Sequence, residues 1–247
     1  MLRYAITDRT QLGNDAPVPH PCTASPGMGG MYNIESLLQQ AAHLASLPID
    51  YLQLREKDLP AATLAALARE LLATLRAHNA PTQLLINSHA DIALATHAHG
   101  VHLTSSPGAL TPAQVRALYA HANLPTPTIS LSCHTFEEVT RAAHHPDEET
   151  RPNLILFGPV FEKLLHPNPT PALTSATIPA TPIPKSGPPH DKSAATLPGA
   201  GLTLLAAACR AAAPIPVLAL GGITEANTPS TLAAGAAGIA AIRLFLG

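Results

Sequence analysis

Side chains that could bind an anion are grouped just after residue 52. Gln53, Arg55 and Lys57 occupy alternate positions, so they share one side of the chain if this segment is a β-strand. One amide and two cations in this arrangement suit a polyphosphate or a carboxylate ligand. A solvated strand end, with Arg55 paired to Glu56 or Asp58, fits the same spacing. The sequence leaves both interpretations open.

A histidine that could take part in proton transfer follows a later apolar segment. Ser132 and His134 lie two residues apart, immediately before a segment of helical periodicity. Because a histidine exchanges protons near neutral pH, His134 is a candidate acid–base group. Cys133 could instead be a nucleophile with His134 as its base. Adjacent residues of a strand point to opposite faces, however, so this second arrangement is disfavoured.

These residues lie at the ends of short apolar segments that alternate with longer segments of helical period. Strands are predicted at residues 2–7, 51–55, 83–87, 100–104, 128–132, 154–160, 217–221 and 238–242. Helices are predicted at residues 34–47, 61–78, 91–97, 112–121, 136–144, 202–212 and 226–234. This alternation predicts an α/β fold with a single domain over residues 1–247, a (β/α)8 TIM barrel. Asn87 and His102, from the third and fourth strands, join the candidate substrate-binding residues at its mouth.

Two adjacent glycines, Gly221 and Gly222, end the seventh predicted strand. Glycines at the C-terminal end of a buried parallel strand let backbone N–H groups approach an anion. The last two strands of such barrels commonly bind a phosphate, and Ile242 and Arg243 follow the last strand. A tight strand–helix turn would need the same glycines, but we favour the phosphate-binding interpretation.

The composition limits the class of protein. Apolar residues make up 46% of the chain and charged residues 12%, which allows a large buried core. A net charge of −2 without a basic block argues against nucleic-acid and membrane partners. Three widely spaced cysteines indicate a reducing compartment, and the N-terminus lacks the pattern of a signal peptide. We therefore expect a cytoplasmic protein.

Two segments interrupt the alternation. Residues 8–32 are predicted to form an irregular loop, and residues 164–198 form a Pro-rich insertion after the sixth strand. The composition of the insertion favours disorder, with an active-site lid as the alternative. The chain also leaves almost no residues for an eighth helix. A second copy of the protein could cover that end of the barrel, so a homo-oligomer is possible.

Eight segments, in this order along the chain, resemble the thiamine phosphate synthase/TenI superfamily. They are Ala5-Ile-Thr-Asp8, Gln53-Leu-Arg-Glu-Lys57, Leu85-Ile-Asn87, Gly100-Val-His-Leu103, Ser132-Cys-His-Thr135, Leu156-Phe-Gly-Pro-Val-Phe161, Ala219-Leu-Gly-Gly-Ile-Thr224 and Gly235-Ala-Ala-Gly-Ile-Ala240. The resemblance covers nearly the whole chain outside the two irregular segments. It implies a TIM barrel of thiamine biosynthesis that acts on a thiazole phosphate.

The synthase branch of the superfamily joins the thiazole phosphate to a pyrimidine pyrophosphate and releases pyrophosphate with the help of Mg²⁺. By resemblance, the pyrimidine pyrophosphate would be held by Gln53, Arg55, Lys57 and Asn87, with assistance from Ser132. The backbone of the glycine turn and of the turn after the last strand would hold the thiazole phosphate.

Two metal-binding aspartates that the synthase branch implies are missing. Ser88 stands in place of one, and the loop at residues 104–107 has only hydroxyl side chains and a proline where the other is expected. Mg²⁺ usually takes one or two carboxylates, so hydroxyls alone would hold it poorly. The lysine expected after Phe161 is also displaced. The lysines that could replace it are Lys163, Lys185 and Lys192.

The TenI branch is a metal-free thiazole tautomerase, and His134 matches the histidine that carries its proton. We favour this branch because the chain lacks the metal-binding aspartates and keeps this histidine. The alternative is the synthase, which the segment from Gln53 to Lys57 resembles throughout. A third interpretation is a barrel without catalytic activity that binds a thiamine precursor and regulates a partner.

Overall fold

Each apolar segment of the sequence becomes a strand of one closed barrel. The computed structural model describes residues 1–11, 29–164, 196–197 and 199–245. The bounds of its eight parallel strands are Leu2–Ile6 (β1), Tyr51–Leu54 (β2), Gln83–Asn87 (β3), Gly100–Thr104 (β4), Thr128–Cys133 (β5), Leu154–Phe157 (β6), Val217–Leu220 (β9) and Gly238–Ala241 (β10). These strands close in the order β1–β10–β9–β6–β5–β4–β3–β2, with β2 paired back to β1. The prediction of a (β/α)8 TIM barrel is confirmed.

Helices follow most of the strands and surround the barrel. Their bounds are Gly29–Ser46 (α1), Ala61–Ala77 (α2), Ala90–Thr96 (α3), Pro112–His121 (α4), Phe136–Ala143 (α5), Gly201–Ala212 (α6) and Thr228–Ala233 (α7). The buried leucines of α2 recur every three or four positions, at Leu64, Leu67, Leu71 and Leu75. This spacing places them on one face of the helix, where they pack on the strands. Within the described residues, which end at Phe245, no helix follows β10.

The segment at residues 8–32 is more regular at its ends than its composition suggests. A turn of 3-10 helix covers Arg9–Gln11, and α1 begins at Gly29 rather than near residue 34. The predicted irregular loop is therefore wrong at both ends. Glycine is among the weakest helix formers, so Gly29 and Gly30 gave no sign of the earlier start. Residues 12–28 lie outside the described part of the chain.

Strand β6 and helix α7 are each three residues shorter than predicted, because nearby side chains change the backbone hydrogen bonding. The β6 ladder stops at Phe157, because Pro159 has no N–H with which to extend it. Helix α7 starts at Thr228 instead of residue 226. Before it, the Asn227 side chain accepts a hydrogen bond from the Thr224 N–H at 2.8 Å, which forms a turn rather than helix.

The long insertion leaves and rejoins the fold at one point. Lys163–Leu164 (β7) pairs antiparallel with Thr196–Leu197 (β8) in a two-stranded ribbon. Residues 165–195 and residue 198 lie outside the described part of the chain, and with them almost all of the segment predicted to be disordered or a lid. Lys185 and Lys192 lie there too. Of the helices that are described, none is both long and apolar enough to cross a membrane.

The barrel interior has an apolar half and a polar half. Strands β1, β6, β9 and β10 supply an inner apolar cluster that includes Ile6, Leu154, Leu156, Leu218 and Ala240. Strands β2 to β5 supply buried or half-buried polar side chains, namely Gln53, Asn87, His102, Ser130 and Ser132. Because inward positions recur at every second residue, the polar residues of one strand stack toward its C-terminal end. The polar half therefore leads to the mouth.

Candidate active site

Polar side chains of β2 and β3 meet inside the mouth of the barrel. The Gln53 Nε2 atom donates a hydrogen bond to the Asn87 Oδ1 atom at 2.8 Å. Gln53 is only 1% exposed, and its Oε1 atom has no hydrogen-bond partner among the described residues. A buried acceptor without a partner costs roughly 1–3 kcal/mol. This oxygen is therefore suited to accept a hydrogen bond from a ligand.

Arg55 lies at the end of β2, and its ion pair differs from the pairs that its spacing suggested. Its Nη1 atom is 4.0 Å from the Asp8 Oδ2 atom. Glu56 and Asp58 bind Arg9 instead, so the interpretation that pairs them with Arg55 is wrong. The Arg55 side chain is about a quarter exposed, which leaves its guanidinium accessible from the mouth.

Arg9 ties the ends of β1 and β2 together. Its Nη1 atom donates hydrogen bonds to Glu56 at 3.0 Å and to Asp58 at 2.7 Å. Its backbone N–H donates to both Glu56 carboxylate oxygens at 3.2 Å. The Arg9 and Glu56 side chains are almost fully buried, whereas Asp58 is largely exposed. This cluster connects the loop after β1 to the loop after β2, next to Arg55.

A chain of hydrogen bonds in the polar half of the interior ends at Ser132. The Tyr4 hydroxyl lies 2.9 Å from the Ser130 Oγ atom, which lies 2.8 Å from the His102 Nδ1 atom. The His102 Nε2 atom lies 2.8 Å from the Ser132 Oγ atom. Burial, and after it the nearby Arg55 guanidinium and His134 ring, lower the pKa of His102 to about 3. His102 is therefore neutral at physiological pH.

His134 extends beyond β5 and is exposed. Its Nδ1 atom lies 2.6 Å from the carbonyl oxygen of Gly158. A carbonyl oxygen can only accept, so Nδ1 carries the hydrogen and the Nε2 atom of the neutral ring keeps its lone pair. The His134 backbone N–H donates to the Glu138 carboxylate at 2.6 Å, which fixes the residue at the start of α5. This geometry leaves Nε2 able to accept a proton.

Cys133 lies on the opposite face of β5 from Ser132. Its side chain is fully buried and packs with Val139 and Phe157 in the layer between the barrel and its helices. Burial raises the pKa of its thiol to about 12. The alternative in which Cys133 is a nucleophile activated by His134 is therefore not supported by the geometry.

The Gly221–Gly222 turn has a conformation that requires glycine. Both residues have positive φ, 90° and 65°. A Cβ atom on Gly221 would lie 2.7 Å from Pro159, and one on Gly222 would lie 2.7 Å from the Phe161 Cβ atom. The Gly222 carbonyl accepts a hydrogen bond from Asn227 at 2.8 Å, while its N–H donates to no acceptor in the described part of the chain. The close packing explains why both positions are glycine. The unpaired N–H of Gly222 could donate a hydrogen bond to an anion.

The predicted site residues form two groups on different sides of the mouth. Strands β2 to β5 carry Gln53, Arg55, Asn87, His102, Ser132 and His134. Strands β9 and β10, which pair with each other, are followed by Gly221, Gly222, Ile242 and Arg243. In the closed order of strands, β3 lies opposite β9, so the groups face each other. Lys57 is exposed beyond β2.

The side chains at the expected metal position do not fit Mg²⁺. Ser88 is exposed, and its Oγ atom accepts a hydrogen bond from Asn87 at 3.4 Å. Within the described ranges, no three His, Cys, Asp or Glu side chains are grouped so that they could hold a metal ion. Glu138, a carboxylate near the loop after β4, is already hydrogen-bonded to His134. Mg²⁺ usually takes one or two carboxylates, and no residue that the structure describes offers a free one at the expected position.

Sequence reasoning missed Tyr4, Ser130 and Arg9. Ser130 lies two residues before Ser132, so its inward position could have been found from strand periodicity. A tyrosine inside an apolar strand also signals a hydroxyl that needs a partner. Arg9 gave no such signal, because its partners lie on the loop after β2 and only the closed barrel brings them together.

Comparison with known proteins identifies the family. The model of the family described as thiamine monophosphate synthase matches residues 28–181 and 189–245. A protein of Geobacter sulfurreducens, provisionally described as a thiamine-phosphate synthase, is 38% identical over 78% of this chain and 72% of its own length. The thiamine-phosphate synthase of Roseiflexus castenholzii is 33% identical over 79% of this chain and 68% of its own length.

A solved structure agrees with this family in its fold. It is the thiamine phosphate pyrophosphorylase of Pyrococcus furiosus, with a TM-score of 0.61 and 22% sequence identity. The match covers 98% of this chain and 85% of that one. This barrel protein therefore belongs to the thiamine phosphate synthase/TenI superfamily of thiamine biosynthesis.

Proposed function

We propose that this protein is a thiamine phosphate synthase, which joins a thiazole phosphate to a pyrimidine pyrophosphate and releases pyrophosphate. The observation that carries the proposal is the pair of anion-binding groups that face each other across one mouth. Arg55, the cation of the first group, follows β2 on one side, and the Gly221–Gly222 turn follows β9 on the other. A reaction between two phosphorylated substrates needs two such groups, whereas isomerisation of one substrate needs only one.

The relatives support the same reaction. Both curated relatives described above carry the name of the synthase, one of them provisionally. The missing aspartates and the retained His134 favour the tautomerase, which is the main expectation from the sequence. The family names and the two facing groups favour the synthase, which is the alternative.

Different residues of the chain would bind the two substrates. Arg55 and Lys57 would neutralise the charge that develops on the departing pyrophosphate. The unpartnered Oε1 atom of Gln53 would accept a hydrogen bond from the pyrimidine. The free N–H of Gly222 would donate to the thiazole phosphate. We assign no step to Mg²⁺, because the side chains at the expected position do not fit the ion.

Arg55 offers a direct test of the coupling reaction. The purified protein is incubated with both precursors, with Mg²⁺ or with a chelator, and thiamine phosphate and pyrophosphate are measured. We expect both products from the wild type. Loss of an interaction that stabilises a developing charge costs about 10²–10³-fold in rate, so Arg55→Met should lose this much. Arg55→Lys, which keeps the charge, should lose less.

Absence of both products at saturating precursor concentrations would reject the synthase. Equal rates for Arg55→Met and the wild type would reject the role of Arg55 alone. Binding of the thiazole phosphate without any turnover would instead support the non-catalytic regulator. The comparison with the chelator shows whether the reaction depends on Mg²⁺ despite the missing carboxylates.

A second candidate function is the thiazole tautomerase, which the geometry of His134 favours. The hydrogen bond from Nδ1 to Gly158 leaves the Nε2 lone pair free at the mouth. A proton transfer within one substrate needs such a base and a phosphate anchor, but no metal. His134 could remove the proton at one position and return it at another.

Two variants of His134 test this second candidate. His134→Ala removes the ring, whereas His134→Asn keeps an N–H that can donate to Gly158 but has no base at the Nε2 position. Both should abolish isomerisation of the thiazole tautomer, while the dissociation constant for the thiazole phosphate stays near the wild-type value. Turnover that survives in His134→Asn would exclude Nε2 as the base.

A further inference from the structure

Four polar side chains form one hydrogen-bonded chain inside the barrel, directly below the mouth. They are Tyr4, Ser130, His102 and Ser132, and none is more than 9% exposed. Only Ser132, at the upper end, retains appreciable exposure. Tyr4 comes from β1 and reaches across the interior to the residues of β4 and β5.

The Tyr4 hydroxyl determines which way the hydrogen bonds of this chain run. Burial is the main cause that raises the pKa of Tyr4 above its usual value, so the hydroxyl keeps its proton and must donate it. Its possible acceptors among the described residues are the Ser130 Oγ atom at 2.9 Å and the His102 Nδ1 atom at 3.5 Å. If it donates to Ser130, the Ser130 hydroxyl donates onward to Nδ1 at 2.8 Å. In either arrangement Nδ1 is an acceptor and carries no hydrogen.

If the hydrogen bonds of this chain ran in the opposite direction, one buried hydroxyl hydrogen would have no acceptor. If Nδ1 carried a hydrogen and donated it to Ser130, either the Tyr4 or the Ser130 hydroxyl would have no acceptor in the described interior. A buried unsatisfied donor costs roughly 1–3 kcal/mol. Since His102 is neutral, its single ring hydrogen therefore lies on Nε2 and is donated to Ser132 at 2.8 Å.

Ser132 is left with one unused hydrogen. Its Oγ atom accepts from His102, and no other described side chain lies within hydrogen-bonding distance of it. The hydroxyl hydrogen of Ser132 is therefore free to be donated to a ligand at the mouth.

We propose that Tyr4, Ser130 and His102 are positioning residues that make Ser132 a fixed hydrogen-bond donor to an anionic oxygen of the substrate. Ser132 is then neither a base nor a nucleophile, because both roles would need its proton to leave toward His102, whose Nε2 atom already carries one. The proposal rests on the proposed function only in placing the substrate at this mouth. The anionic oxygen could belong to the pyrophosphate or to the thiazole phosphate.

The tautomer of His102 is tested without any substrate. Nitrogen-15 NMR of the histidine rings distinguishes a nitrogen that bears a hydrogen from one that does not, and His102→Gln identifies the signals by their loss. We expect Nε2 to be protonated and Nδ1 to be free of hydrogen between pH 5 and 8. A hydrogen on Nδ1 would overturn the proposed direction, whatever reaction the protein catalyses.

The donor role of Ser132 is tested with a double-mutant cycle. Titration calorimetry measures the affinity for inorganic pyrophosphate and, separately, for the thiazole phosphate. A hydrogen bond to a charged group contributes about 1.5–3 kcal/mol, so Ser132→Ala should weaken binding of one of the two probes about 10- to 100-fold, and Tyr4→Phe should weaken binding of the same probe by less. In the Ser132→Ala background, Tyr4→Phe should have no further effect, because both act through the same hydrogen bond.

Tyr51→Phe is the matched control. Its ring lies 5.7 Å from that of Tyr4, but its hydroxyl is not part of the chain. This variant should bind both probes like the wild type, and thermal unfolding should show that all variants are folded. Unchanged affinity for both probes in Ser132→Ala, or additive effects in the double variant, would overturn the donor role. Failure of the wild type to bind either probe would overturn it as well, while the NMR result on His102 would stand.

Discussion

His102 lies in the middle of β4 and His134 directly follows β5, and their surroundings give them different properties. His102 is buried, neutral and hydrogen-bonded through both ring nitrogens. His134 is exposed, and its ring contacts the rest of the described chain through Nδ1 only, which leaves Nε2 available. The same residue type therefore orients a neighbour in one case and is able to exchange a proton in the other.

Gly222 has a conformational requirement and a proposed binding role, and the two can be separated by experiment. Gly222→Ala adds a Cβ atom where φ is 65° and Phe161 would be 2.7 Å away. We expect a loss of stability of about 3 kcal/mol and weaker binding of the thiazole phosphate. Urea unfolding and titration calorimetry measure the two effects.

Gly108→Ala is the control for the conformational part of this effect. Gly108 also has positive φ, 81°, but a Cβ atom there would meet nothing within 4 Å. This variant should lose only about 1 kcal/mol of stability. If Gly222→Ala bound the thiazole phosphate like the wild type, the turn would be structural only.

The sequence revealed which polar residues reach the mouth but not what each one contacts. Alternation along a strand predicts that Gln53, Arg55 and Ser132 lie on the inward face, and this prediction needs only their positions in the sequence. The ion pair of Arg55 with Asp8 and the contact of His102 with Ser130 depend on residues far apart in sequence. Such contacts exist only once the barrel has closed, so spacing could not predict them.

At the scale of elements, the ends of β1 and β2 depend on the ion cluster of Arg9. The Arg9 guanidinium is buried against Glu56 and reaches Asp58 at the surface. A buried cation is tolerated only while a buried anion remains beside it. The cluster therefore makes the two loops that flank Arg55 depend on each other.

The two acidic partners of Arg9 should differ in their effect on stability. Glu56→Ala removes the buried carboxylate and leaves the guanidinium paired only with Asp58, so it should lower the free energy of unfolding by about 1.5–3 kcal/mol. Asp58→Ala removes a carboxylate with 63% side-chain exposure and should cost about 1 kcal/mol or less. Urea denaturation of both variants checks this, and equal losses would show that burial does not determine the contribution.

Element types could be predicted better than element ends. All eight barrel strands were expected from apolar segments, because buried parallel strands are apolar on both faces. The ends of β6 and α7 were wrong because Pro159 and Asn227 change the backbone hydrogen bonding locally. Apolar periodicity carries no information on such side-chain-to-backbone contacts.

At the scale of the whole molecule, the polar half of the interior links stability to pH. The pKa of His102 is about 3 in the folded protein, compared with a usual value of 6.5. Between these values the unfolded chain binds a proton that the folded protein does not. Stability therefore falls as the pH falls below about 6.5.

This linkage predicts a measurable difference between the wild type and His102→Gln. One such group changes stability by at most about 1.4 kcal/mol per pH unit, or about 2 kcal/mol between pH 7 and pH 5. Urea unfolding at the two pH values should show a loss that is smaller by this amount in His102→Gln. The remaining histidines are common to both proteins, so their contributions cancel. Equal losses would mean that His102 titrates normally in the folded state.

The ribbon of Lys163–Leu164 and Thr196–Leu197 affects which insertions and deletions this barrel can tolerate during evolution. The chain departs and returns at hydrogen-bonded neighbours, so the intervening residues need not span any distance. Lengthening a loop whose ends already meet adds little entropy cost, about 0.6 kcal/mol for each doubling. The family model leaves residues 182–188 unmatched, within this same stretch. This point of the fold can therefore gain or lose sequence freely, and a short turn grafted between residues 164 and 196 should leave the eight barrel strands in register.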